Sequence, residues 1–118
     1  MRILIADDSS VVRERLVALL SELKDIEVVG QAEDAPAALD SIQALRPDVV
    51  ILDIQMPGGN GIDVLQNIKQ VQRPPVVIML TNYPYPAYRK KCVEAGADFF
   101  LDKTMDFERV IEVLKGTM

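Results

Sequence analysis

The sequence predicts one α/β domain: a doubly wound, five-stranded parallel sheet with helices on both faces. Three observations carry this. Five short apolar runs recur along the chain, and three of them are continuous and rich in Ile and Val, the pattern of strands buried on both faces. An apolar stripe of helical period fills the gap after each run, as expected for helices covering a sheet. Runs and stripes alternate strictly, which calls for crossover connections and parallel pairing.

The elements follow in order. Ile3-Leu4-Ile5-Ala6 is the first strand, and Val12, Leu16, Leu19, Leu20 and Leu23 form one helical face after it. Val28-Val29 is a short second strand, nearer an edge. Ala38, Leu39, Ile42 and Leu45 make the second helix; Asp34 and Pro36 suit its start and Pro47 its exit. Val49-Val50-Ile51-Leu52 is the third strand, followed by a helix on Val64, Leu65, Ile68 and Val71 and by the Pro74-Pro75 break. Val76-Val77-Ile78-Met79-Leu80 is the fourth strand. Tyr88, Cys92 and Ala95 mark the fourth helix, with Gly96 as its cap. Phe99-Phe100-Leu101 is a short fifth strand, and Phe107, Val110, Ile111 and Leu114 give the last helix. No linker, repeat or low-complexity stretch divides residues 1–118, so they are read as one domain.

Composition narrows the function. A 118-residue chain buries about 65% of its unfolded surface, enough for an ordinary core. The apolar share of 49% excludes a disordered tail. Thirteen basic against 18 acidic residues leave a net charge of −5, which argues against direct nucleic-acid binding by this domain. A single cysteine allows no internal disulfide and suits a cytoplasmic location. No apolar run is long enough for a membrane span, and no signal peptide is legible. The chain has no histidine. Ser-His-Asp and Cys-His triads and standard zinc sites are therefore excluded, and chemistry must rest on carboxylates, hydroxyls, lysines or a hard metal ion.

In a doubly wound sheet, functional groups gather at the carboxyl ends of the strands. The first run ends in Asp7-Asp8, the third in Asp53, the fourth in Thr81 and the fifth in Asp102-Lys103. In strand order 2-1-3-4-5 these ends are neighbours, and Asp7, Asp8, Asp53, Thr81 and Lys103 share one rim. The second run, which falls outside that group, ends without a charge until Glu33. Clustered carboxylates need a cation, and oxygen-only ligation suits Mg²⁺. That ion keeps room for a phosphate oxygen, and a carboxylate can attack phosphorus to give an aspartyl phosphate.

These residues resemble the receiver domain of two-component response regulators. The resemblance runs along the whole chain: Ile3 to Ser9, Ile51 to Gly61, Leu80-Thr81, and Gly96 to Lys103. It implies a flavodoxin-like fold in order 2-1-3-4-5. It implies Asp53 as phosphoacceptor and Mg²⁺ as cofactor. Asp8 is then a direct metal ligand, Asp7 acts through water, and Gln55 lends its backbone carbonyl. Lys103 contacts phosphate, Thr81 is the switch hydroxyl and Phe100 the switch aromatic. Phosphorylation then shifts the face built from helix 4, strand 5 and helix 5. The implied partners are a sensor histidine kinase or phosphotransfer protein, and a downstream target protein or attached output domain. The molecule is expected as a monomer or a phosphorylation-dependent dimer, either stand-alone or excised from a longer regulator.

The chain departs from the family in places. Thr104 follows Lys103 where most members carry a cis proline, so that loop is expected to be less rigid. Asn82 follows Thr81 where a small residue is usual. Tyr83-Pro84-Tyr85-Pro86 is an unusual start for the fourth helix. Tyr83, Tyr85, Tyr88, Arg89, Lys90 and Lys91 are candidates for a partner surface. Plainer readings stand beside these. Asp7-Asp8-Ser9-Ser10 also suits a helix start, Thr81 also suits a loop hydroxyl, Phe100 and Cys92 also suit the core, and Arg89-Lys90-Lys91 also suits a solvated face. A degenerate receiver acting as an unphosphorylated scaffold is the alternative function. An aspartate-nucleophile phosphohydrolase fits poorly, because Asp53-Ile54-Gln55 lacks a second carboxylate. A flavin binder fits poorly too, because Asp7-Asp8 repels phosphate.

Overall fold

A computed structural model describes residues 1–117. Its main sheet comprises β1 (Arg2–Ala6), β2 (Glu27–Ala32), β3 (Val49–Leu52), β4 (Val76–Thr81) and β5 (Phe99–Asp102). The helices are α1 (Ser10–Leu20), α2 (Ala35–Leu45), α3 (Gly61–Ile68), α4 (Pro86–Glu94) and α5 (Arg109–Thr117). All strands of this sheet are parallel, in the expected order β2-β1-β3-β4-β5. The expected flavodoxin-like architecture is therefore observed. No helix among the described residues is long and apolar enough to cross a membrane.

Alternation along the strands sorts side chains into two layers. Leu4, Val50, Leu52, Val77, Met79 and Phe100 face one side and pack with α2, α3 and α4 residues such as Ile42, Leu65 and Cys92. Ile3, Ile5, Ile51, Ile78, Leu80 and Leu101 face the other and pack with Leu16, Leu20, Val110 and Leu114 of α1 and α5. Ser9, Asp34 and Asn60 cap α1, α2 and α3 with side-chain oxygens, each accepting a backbone N–H that lacks a helical partner.

The boundaries differ from the sequence reading in several places. Leu23 and Val71 lie beyond their helices, since α1 stops at Leu20 and α3 at Ile68; Val71 is exposed. Ala95 is the cap of α4 rather than part of it, and Gly96 follows at φ +101°, a left-handed geometry that favours glycine. Phe107 precedes α5 but is still buried against it. A hairpin pairing Gln55-Met56 with Gly59-Asn60 was not legible as strand, because two-residue ladders carry no period.

This hairpin returns the chain tightly under β3. The Gly61 N–H donates to the Ile54 carbonyl at 2.6 Å. A β-carbon on Gly61 would sit 1.8 Å from the Asp53 carbonyl oxygen. Only glycine fits there without moving backbone.

Candidate functional site

The parallel register carries three residues to one rim. Each is the first residue after its strand, and each extends the ladder by one bond. The Asp7 N–H donates to Ala32 O (3.0 Å), Asp53 N–H to Ala6 O (3.0 Å) and Lys103 N–H to Thr81 O (2.9 Å). Their backbones are thus fixed by the sheet itself, and their side chains meet above it.

Lys103 Nζ lies 2.6 Å from Asp7 Oδ2 and 3.0 Å from Asp53 Oδ2, with all three side chains buried. The other oxygens are also engaged. Asp7 Oδ1 accepts the Ser9 N–H at 2.9 Å, and Asp53 Oδ1 accepts the Ile54 N–H at 2.8 Å. Asp8 differs: it is exposed. One oxygen from each of Asp7, Asp8 and Asp53 falls within 4.8 Å of the others.

Burial sets the electrostatics. Desolvation raises the Asp53 carboxyl above its ordinary value, although the Lys103 hydrogen bond and charge pull it down; the Asp7 charge adds to the rise. Burial pulls Lys103 down, but its hydrogen bonds to Asp7 and Asp53 and their charges leave it raised. Lys103 therefore stays an ammonium. Three carboxylates against one ammonium leave an excess of two negative charges. An all-oxygen set with that excess fits a hard divalent cation.

Thr81 ends β4, is fully buried, and its Oγ1 accepts the Tyr83 N–H at 2.9 Å. Gln55 opens the hairpin beyond Asp53, with its residue exposed. Phe100 is turned inward at 8% exposure, while Phe99 on the opposite face is 37% exposed. The Arg89 guanidinium lies 5.5 Å from the Phe100 ring centroid. Tyr83, Tyr85 and Tyr88 run as a line of rings, 6.2 and 6.0 Å between successive centroids. Tyr83 and Tyr85 are exposed, as are Arg89, Lys90 and Lys91. Cys92 is fully buried in the core, and desolvation pushes its thiol up to about 11.

The departures from the family also have a place. Asn82, Lys103, Thr104 and Met105 line a cleft of about 630 Å³. No cis peptide bond occurs among the described residues. The loop expected to be looser carries its own bonds. The Thr104 N–H donates to Asp102 Oδ1 (2.8 Å), Asp102 N–H to Asp106 Oδ2 (3.1 Å) and Asp106 N–H to Asp102 O (2.8 Å).

One residue escaped the sequence reading. Arg13 Nη1 donates to the Asp7 carbonyl oxygen at 2.6 Å. Its only sequence signal is position: it falls one helical turn past the Ser9 cap, on the side facing the acidic pair.

Comparison with known proteins agrees with this geometry. The model of the response regulator receiver domain matches residues 3–115. Sensory transduction protein LytT of Bacillus cereus is 32% identical over 115 residues, covering 98% of this chain and 46% of LytT. The chain thus spans about half the length of the curated relatives it matches first. The receiver domain of the putative regulator NarL from Mycobacterium tuberculosis superposes with TM-score 0.88 at 35% identity, covering 98% of this chain and 94% of that one. The Borrelia burgdorferi CheX-CheY-BeF3-Mg complex gives TM-score 0.90 at 27% identity, covering 99% and 88%. Sheet order, rim chemistry and these matches coincide: the chain belongs to the response regulator receiver domain family, the phosphorylatable switches of two-component signalling.

Proposed function

We propose that residues 1–118 form one receiver domain in which Asp53 accepts a phosphoryl group from a partner phosphohistidine or a small acyl phosphate. The observation that carries this is the shared Lys103 ammonium between Asp7 and Asp53, beside a free Asp8 carboxylate. An Asp53 oxygen forms the bond to phosphorus as the bond to the donor's nitrogen or acyl oxygen breaks, and the electron pair leaves with the donor. Lys103 stays within reach of the incoming phosphoryl oxygens as their counter-charge. Thr81 Oγ1 already accepts from Tyr83 N–H, so its own proton is free to be donated to a phosphoryl oxygen.

Mg²⁺, when bound, supplies charge neutralisation to the transferring group. Asp8, Asp53 and the Gln55 carbonyl would hold it, with Asp7 acting through water. The Borrelia CheY neighbour, solved with BeF3 and Mg²⁺, supports this ion. Phosphorylation biases Thr81 and Phe100, and through them the α4–β5–α5 surface, toward a state that a target protein or output domain reads. The tyrosine line and Arg89, Lys90 and Lys91 border that surface. A histidine kinase or phosphotransfer protein supplies the group, and the setting is cytoplasmic.

The test is an intact mass after incubation with Mg²⁺ and an acyl phosphate, with Asp53→Asn beside it. A single phosphoryl gain, absent in the variant and without Mg²⁺, is expected. No gain, together with no spectral response around Thr81 to fluoroberyllate, would sink the switch reading and leave the unphosphorylated scaffold.

A further inference from the structure

We infer that Arg13 is a positioning residue for the metal site: it fixes the peptide between Asp7 and Asp8, so that the Asp8 carboxylate is presented to the cation. This inference rests on the metal reading proposed above.

The ordinary reasons for an arginine fail at this position. A cation near a helix N-terminus opposes the helix dipole, and α1 has no acidic residue in its first turn to offset it. None of the ion pairs among the described residues includes Arg13. Its half-buried guanidinium is instead committed to a backbone carbonyl, that of Asp7, at 2.6 Å.

That carbonyl is the last free handle on Asp7. Its N–H is held by Ala32 O, its Oδ1 by Ser9 N–H and its Oδ2 by Lys103. Fixing the carbonyl oxygen fixes the plane of the next peptide, and with it the direction in which Asp8 leaves the strand. Asp8 is the exposed member of the acidic cluster. Without this bond the cation must order Asp8 as it binds, and that entropy weakens binding. Groups that orient metal ligands are typically worth about 10–100-fold in affinity.

The test is a Mg²⁺ titration of the whole chain by calorimetry, with amide spectra of the metal-free protein. Arg13→Met keeps the aliphatic stem and removes the donor. It is expected to bind Mg²⁺ about tenfold more weakly and to shift the Asp8 amide before any metal is added. Arg13→Lys, which can still donate to the carbonyl, should recover most of the affinity. Met-variant affinity within about twofold of wild type would overturn the inference, as would Lys failing to rescue while both variants fold. A wild-type chain that binds no Mg²⁺ overturns the metal reading beneath it, a result distinct from equal binding by wild type and variant.

Discussion

Replacing Gly61 by alanine tests whether the return of the chain under β3 sets the geometry of Asp53. The added carbon would meet the Asp53 carbonyl oxygen at 1.8 Å, Asp53 C at 2.8 Å and Ile54 Cα at 3.1 Å. All three are backbone atoms, so no side chain can swing away. Reaching a tolerable 3.0 Å demands a shift of about 1.2 Å, and the Gly61 N–H to Ile54 O bond must stretch with it. Overpacking of this kind costs about 1–3 kcal/mol, and the lost hydrogen bond about 1 kcal/mol more. Together, about 2–4 kcal/mol is a large share of a typical stability of about 5–15 kcal/mol. For a domain of this size, at about 4 °C per kcal/mol, it corresponds to a fall in Tm of roughly 8–16 °C. Thermal melts followed by circular dichroism in EDTA measure it. Gly116→Ala is the control, because nothing lies within 4 Å of that position in α5; its Tm should hold or rise slightly. A Gly61→Ala melt within about 3 °C of wild type would refute the reasoning.

Three further outcomes follow from the site and the core. Lys103→Met leaves Asp7 and Asp53 buried without their shared cation, which should cost about 3–5 kcal/mol in EDTA and recover in part with Mg²⁺; an equal melt in EDTA would contradict the pairing. Asp53→Asn should be more stable than wild type at neutral pH without metal. The folded-state pKa of Asp53 is raised, so the folded chain binds the proton more tightly and wild type loses stability as pH rises through the window above 3.8. The gap should close below that window, and a gap that widens in acid reverses the sign. Cys92, buried and with its thiol pushed up to about 11, should resist alkylation at pH 8 until the protein is unfolded; rapid labelling of the native chain would show an open site.

Much of this was readable from residues alone, for physical reasons. β1, β3 and β4 are buried on both faces, so Ile3–Ala6, Val49–Leu52 and Val76–Leu80 announce themselves as unbroken apolar runs. Asp7, Asp53 and Thr81 directly after those runs mark the rim, because polar groups there sit where a buried strand leaves the core. Helix ends were less legible. Val71 keeps the apolar period of α3 but lies beyond its end, exposed, since a side chain's period does not say where the backbone bonds stop. The hairpin at Gln55-Met56 and Gly59-Asn60 was hidden, being set by glycine geometry and the close approach at Gly61 rather than by pattern. Arg13 was hidden for another reason. Its partner is a backbone carbonyl, and main-chain acceptors leave no trace in the sequence.

The lysine shared by two aspartates ties residue 103 to residues 7 and 53. A ribosome delivers those positions far apart in time. While the chain ends before β5, Asp7 and Asp53 have no common counter-ion, and with Asp8 the rim gathers three carboxylates. That counter-charge is in place only with β5 docked at the sheet edge. Copies that stop short of β5 lack Lys103, and with it the counter-charge that Asp7 and Asp53 share.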